Sequence, residues 1–402
     1  VPGFQTGQED FDRIYITEEE VVNQYFGSTL FSWGLNTSGQ LGQNIITSTN
    51  RSSPVLISGG GNTWKTIDAG REFAAAIKTD GTLWTWGSNN LGQLGTNTTV
   101  GRSSPQTTIV GGNDWKSVTA AGSSILSIKT DGTRWGWGDN SFGQLGNNTN
   151  TTYYSFPTII DAGDTTWKQL SMGEYLHASG IKTNGTLWTW GVNAYGALGS
   201  NNTIDRSSPQ TTVAGGTSWK QVSSGYYFNA AIKTDGTLWT WGDNFKGNLG
   251  NNNIINRSSP QTTVAGGNNW KTISSSKTYY SLSGIKTDGT LWTWGDNFEG
   301  ELGSNNTVNR SSPGTVSGGG TDWKSTYINS FASFAIKTDG TLWAWGYNSD
   351  GQLGTNNTIL RSSPQTIISG NQRWKFVSIG GDSGTVSRYT PVFAISEDSF
   401  SE

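Results

Sequence analysis

Cysteine is absent from this chain of 402 residues, histidine and methionine occur once each, and proline only nine times. Without cysteine there is no disulfide and no thiolate metal ligand, and a lone histidine leaves the common nucleophile–base dyads and triads little to draw on. Charge is also sparse: Asp, Glu, Lys and Arg make up 14% of the residues, with a net charge of −3. The basic residues are dispersed, so the electrostatic footprint that nucleic acid or an anionic membrane requires is missing. No run approaches the roughly 20 apolar residues of a membrane-spanning helix, and the N-terminal stretch lacks the basic-then-apolar plan of a signal peptide. These absences predict a soluble chain with no nucleic-acid partner, no membrane insertion, no cofactor, no metal and no catalytic residues.

What is present is glycine, 56 residues, and tryptophan, 20. Trp33, Trp86, Trp137, Trp190, Trp241, Trp294 and Trp345 each precede a glycine, at spacings of 53, 51, 53, 51, 53 and 51 residues. Seven copies of one unit therefore make up the chain, and a period of this length signals a solenoid or propeller. Every tryptophan falls in one of three columns: before Gly, in the first position of W-x-W (Phe31 in one copy), or before Lys. Each ring removes roughly 150–250 Å² from water when buried, so the columns read as packing between units and not as a ligand site.

Within a unit the pattern is that of strands. In T-L-W-T-W, Trp84 and Trp86 share one face and Leu83 and Thr85 the other, the period of two that a strand imposes. The Asp-Gly at Asp80, Asp131, Asp235, Asp288 and Asp339, with Asn184 in its place once, predicts a hairpin closed by a type I′ turn. Residues 64–68 alternate as a third strand, and residues 105–110 form a fourth that Pro105 opens. Four strands repeated seven times predict an all-β fold, a seven-bladed β-propeller of four-stranded antiparallel blades. The first copy begins at its final strand and the last stops short of that strand. Residues 29–33 are accordingly expected to pair antiparallel with residues 392–396, closing the ring.

In its W-x-W-G-x-N-x-x-G-x-L-G core the chain resembles the regulator of chromosome condensation repeats, over residues 27 to 398. The resemblance implies a seven-bladed propeller. That fold hosts exchange factors for small GTPases, ubiquitin-ligase modules and a bacterial inhibitor of β-lactamases, so it does not by itself name an activity. The family's usual Gly-x-x-His-Ser loop is missing: Phe73 and Phe228 hold two of the histidine positions, and His177 falls nearby in one copy. The Asn/Thr/Gly-rich wording I-K-T-D-G-T-L-W-T-W-G looks like variants in bacterial and tailed-phage proteins.

The remaining candidate chemistry is weak. The D-N-x-x-G loops at Asp139, Asp243 and Asp296 lack the alternating oxygen ligands and terminal bidentate Glu of a calcium loop and read as turn residues. Triplets such as Asn97-Thr98-Thr99 recur because the repeat does. The periodic lysines and arginines are expected to pair with a neighbouring blade or to sit in solvent.

Comparison of the copies locates function better. Two loops vary, the W-G-x-N-x-x-G-x-L-G segment and the loop after the W-K strand, and in an up-and-down blade both emerge on one face. The first supplies Phe142, Tyr195, Phe245, Phe298 and Tyr347. The second supplies Tyr175, Tyr226, Tyr227, Tyr279, Tyr280, Tyr327 and Tyr389. Exposed aromatics of this kind suit a face that binds protein or glycan. The seventh copy adds an insertion, residues 380–391, on the same face.

Residues 1–26 stand outside the repeat as an acidic arm, and residues 27–402 form the propeller. Thr17 to Glu20 is a capping-box signature for a short helix in the arm, which would clasp the propeller or dock it to a larger assembly. The sequence thus predicts a non-enzymatic propeller, a structural or adhesive component of a phage particle or bacterial surface, in a virion or extracellular setting. The alternative is a soluble regulator, inhibitor or exchange-factor-like, that binds one protein through the same face.

Overall fold

A computed structural model describes residues 28–45, 49–174, 176–367, 372–381 and 390–397. The expected arm of residues 1–26 and its helix lie outside the described residues, as does most of the seventh-copy insertion, residues 382–389. The described residues form seven four-stranded antiparallel sheets arranged as a propeller. Blade 1 runs outward as strands Trp64–Ala69, Phe73–Lys78, Leu83–Gly87 and Arg102–Thr107. Blades 2 to 6 repeat this order over residues 115–159, 167–211, 219–262, 270–315 and 323–366. No helix among the described residues is long and apolar enough to cross a membrane.

Blade 7 joins both ends of the chain. Its inner strands are Arg373–Ile379 and Pro391–Glu397, its outer ones Ser28–Gly34 and Arg51–Leu56. Thr29 pairs with Ser396 and Trp33 with Val392, the register that the offset repeats require.

Tryptophan sets both the blade and its junction with the next. Trp64 meets Trp84 and Trp86 edge-on, with ring centroids 6.2 and 6.1 Å apart. The opposite face of blade 1, with Phe73, Ile77 and Leu83, packs on Trp115 and Trp137 of blade 2. The Trp86 indole N–H donates to the Gln40 carbonyl of the preceding blade's outer loop at 2.8 Å. The same bond recurs from Trp33, Trp137, Trp190, Trp241, Trp294 and Trp345. A buried indole needs such an acceptor, so each ring combines apolar burial with a fixed polar anchor.

Three local expectations change. Pro105 lies within its strand instead of opening it; the outermost position leaves an edge where a missing N–H costs no ladder bond. The Asp-Gly turn is not type I′. Gly81 has φ +83° but Asp80 does not share a positive φ, and Gly81 N–H donates to Lys78 O at 3.0 Å, as in a type I turn closed by a left-handed glycine. Asp80 is held there by accepting from both the N–H and the hydroxyl of Thr82, whose oxygen also accepts from the Trp84 indole at 2.9 Å. Lysine in the I-K column lies over its own blade's rings, Lys78 Nζ sitting 5.0 Å from the Trp64 centroid and 4.1 Å from that of Trp84.

Candidate functional site

Each blade sends two loops to one face: an inner loop between its first and second strands and an outer loop between its third and fourth. Their proximity is direct, since Ser38 Oγ of one outer loop donates to Glu72 of an inner loop at 2.9 Å. The outer loop varies in wording but not in frame. In blade 4, Asn244 Oδ1 accepts from Leu249 N–H at 2.9 Å while its Nδ2 donates to the carbonyls of Asn253 and Ile255. Asn89, Asn193, Asn297 and Asn348 do the same work in their blades. Asn97, Asn201 and Asn356 of the outer loops adopt left-handed φ of 57°, 59° and 56°, a conformation asparagine tolerates.

On this frame the predicted aromatics converge over blades 3 to 6. Tyr195 meets Tyr227 at 5.3 Å, Tyr227 meets Tyr226 at 4.8 Å, and Tyr226 meets Tyr280 at 5.1 Å and stacks on Tyr279 at 6.5 Å. Tyr280 reaches Phe245 at 6.2 Å; Tyr279 reaches Phe331, which contacts Tyr347. Seven of the predicted residues thus form one continuous ribbon, built from loops of four different blades. Tyr195 is held at φ 59°, left-handed and unusual for an aromatic residue.

Other predicted residues fall elsewhere. Phe142 and Phe298 are exposed on the outer loops of blades 2 and 5. Tyr175 and Tyr389 lie outside the described residues. Tyr327 is not a loop residue. Strand Trp323–Asn329 continues past it, so Tyr327 pairs with Phe334 and turns into the central cavity, 5.4 Å from Phe376.

The inner strands of all seven blades surround that central cavity, about 240 Å³ in volume. Its mouth on the variable face is crossed by side chains that sequence reading did not single out. Lys277 Nζ, from the inner loop of blade 5, reaches both Asp68 carboxylate oxygens of blade 1 and Ala120 O of blade 2, each at 2.8 Å. Asp68 also accepts from Ser378 Oγ and Ala120 N–H. Beside them the buried Glu174 of blade 3 accepts from Arg71 Nε at 3.0 Å and from Gly122 N–H at 2.7 Å. No copy of the repeat carries a second lysine at the Lys277 position, so periodicity gave no signal for it.

Next to the ribbon lies an acidic pair. Asp243 and Asp296 open the outer loops of blades 4 and 5, 4% and 3% exposed, and burial pushes both carboxyls upward. Lys246 approaches Asp296 at 3.9 Å and opposes that shift. Asp243 accepts from Phe245 N–H at 3.0 Å and from the Tyr280 hydroxyl, whose own pKa is raised by burial first and by Asp243 second. Glu301 occupies a position held by glutamine in four copies. Burial, then Asp296, holds its carboxyl well above the ordinary range.

His177 is wholly buried at the start of strand His177–Lys182, where Phe73 and Phe228 stand in other blades. Among the described residues no group of three or more His, Cys, Asp or Glu is placed to hold a metal ion.

The regulator of chromosome condensation (RCC1) repeat matches residues 28–77, 80–127, 131–177, 184–232, 235–279, 288–329 and 339–386. The ultraviolet-B receptor UVR8 of Arabidopsis thaliana is 29% identical over 317 residues, covering 75% of this chain and 69% of its own. Human WBSCR16 superposes with a TM-score of 0.80 at 18% identity, over 93% of this chain and 100% of the other. Prp20p of Saccharomyces cerevisiae gives 0.77 at 16% identity, over 96% of each chain. At these identities the two structures speak for the fold alone.

Proposed function

This chain belongs to the regulator of chromosome condensation (RCC1) repeat family, and from that premise we propose that it is a non-enzymatic regulator that binds a protein partner through its variable-loop face. The observation that carries this reading is the ribbon running from Tyr195 to Tyr347 across blades 3 to 6. Rigid aromatics of low side-chain entropy, clustered on one face, are the composition of interface hot spots. One similar protein supports a recognition role, UVR8 being named as a receptor, while Prp20p, whose binding to Gsp1p and histones was characterised, shares the fold. Neither relationship favours a particle or adhesive component, nor a glycan ligand, so the regulator reading takes precedence over those expectations.

The test is affinity capture from the native host with the full chain. One stoichiometric partner is expected, lost when Tyr226 and Tyr227 become Ala and retained when Thr217, exposed on the opposite face, becomes Ala. Retention of that partner by the double tyrosine variant would assign its binding to another surface.

A further inference from the structure

A cleft of about 590 Å³ opens beside the ribbon, lined by Tyr195, Asp243, Phe245, Ile254, Ile255, Asn256 and Tyr280. Its parts come from three blades: Tyr195 from the outer loop of blade 3, Tyr280 from the inner loop of blade 5, and the rest from blade 4. Three rings surround one nearly covered carboxylate, and two isoleucines, 65% and 58% exposed, form the rim. Aromatic faces and a carboxylate attract a cation, and exposed aliphatic carbon accepts the methylene stem that carries it.

The neighbouring copy of the repeat shows what such an arrangement holds. One unit later, Asp296 and Phe298 stand where Asp243 and Phe245 stand in blade 4. There the preceding outer loop delivers Lys246, whose Nζ lies 3.9 Å from Asp296 and 5.2 Å from the centre of the Phe245 ring. The residue in the Lys246 column one copy earlier is Tyr195. The blade 4 site therefore gains a ring and receives no lysine, and among the described residues Asp243 forms no ion pair. Burying a carboxylate without a counter-charge is costly, whereas filling the cleft with a cation would offset that cost. Tyr280, which donates its hydroxyl to Asp243, keeps the carboxylate fixed within the cleft.

We propose that this cleft receives a lysine side chain of the protein partner, its ammonium group held by Asp243 between the rings of Tyr195, Phe245 and Tyr280, as the chain's own Lys246 is held at Asp296. The inference rests on reading the loop face as protein-binding and adds the chemistry that the face selects. An Nε-methylated lysine fits the same three-ring surround, since methylation keeps the charge and enlarges the surface that the rings touch.

The full chain, titrated by saturation-transfer NMR with Nα-acetyl-lysine methylamide, its Nε-trimethyl form and the neutral norleucine counterpart, tests this directly. Both lysine derivatives are expected to saturate, and norleucine to bind at least about tenfold more weakly, the difference of one charged contact. Asp243→Asn should weaken the lysine derivatives by about tenfold or more, and Phe245→Ala, at a 64% exposed ring that the fold does not need, by severalfold. Tyr195→Lys should abolish binding by supplying the internal cation that blade 5 already has. Equal binding of norleucine, no saturation by either lysine derivative, or full binding by a folded Asp243→Asn chain would overturn the proposal. Partner loss in the Tyr226/Tyr227 variant without any response to the probes sinks the lysine site and leaves the face intact. Probe binding without a partner supports the site and removes the wider reading.

Discussion

The indole N–H of Trp33 donates to the backbone carbonyl of Gln352 at 2.8 Å, joining residues 319 positions apart in the chain. It is the same bond that links each of the other blades to its predecessor, as Trp241 does to Ala197 at 2.8 Å. Ring closure is thus one more copy of the ordinary junction, made by chain ends.

Trp33→Phe should therefore cost about as much as Trp241→Phe. Each keeps most of the apolar burial and loses one buried hydrogen bond, about 1 kcal/mol, and Ala197 O retains the Asn229 amide at 2.7 Å. Urea unfolding of the two variants measures it. A much smaller cost at Trp33 would mean that the closing blade contributes little to the cooperative unit.

The cross-channel pair between Lys277 and Asp68 gives a second expectation. Lys277→Met leaves Asp68 with the Ser378 hydroxyl and the Ala120 N–H but without its cation. Both side chains retain some contact with water, 18% and 20%, so the loss should be about 1–3 kcal/mol, below that of a fully buried pair. A double-mutant cycle with Asp68→Asn should recover part of it. Strict additivity would show that the two residues act independently.

How much of this could be read beforehand follows from what repetition encodes. The closing register, Thr29 with Ser396, was legible because each copy states which strand the other end lacks. The turn at Asp80 was misread because dipeptide preference names Asp-Gly without the Thr82 hydroxyl that fixes the geometry. Tyr327 belongs to the inner strand by the period itself, since it holds the position of Asp68 in blade 1 and Ser378 in blade 7; its aromatic character, and not its spacing, suggested a loop. Lys277 was invisible, since reaching across a channel depends on the radius of the ring and not on spacing. Asp243 carried no periodic signal: Lys246 is the single lysine of its column, where the other copies hold Ser38, Leu91, Phe142, Tyr195, Glu299 and Asp350, and the turn chemistry of Asp243 is a sufficient account at the level of sequence.

The constant asparagine of the outer loops should matter more to order than to contact. Asn89 accepts from Leu94 N–H at 2.8 Å and donates to Thr98 O and Val100 O at 2.9 and 3.1 Å. Asn89→Ala removes all three at once and should cost about 2 kcal/mol. Amide exchange in residues 88–101 should accelerate while strand Phe73–Lys78 stays protected. Uniform acceleration across blade 1 would indicate that the loop supports the sheet itself.

Glu301 gives the clearest dependence on pH. Its Oε2 accepts from Glu299 N–H at 2.9 Å, as the glutamine oxygen does elsewhere, Gln93 Oε1 accepting from Leu91 N–H. Burial first and Asp296 second raise the folded carboxyl well above the ordinary range. Below a pH of about 4.3 the folded and unfolded forms both hold the proton, and the group's contribution to stability is fully present. As pH rises the unfolded carboxyl ionises first, so stability is lost through the window up to the raised folded pKa and then levels off. Glu301→Gln removes this titration and keeps the amide-like acceptor. The variant should match the parent in urea midpoint near pH 4 and exceed it increasingly as pH rises from the unfolded to the raised folded pKa. A constant difference across that range would show that the folded carboxyl titrates like an exposed one, and that the column prefers glutamine for shape alone.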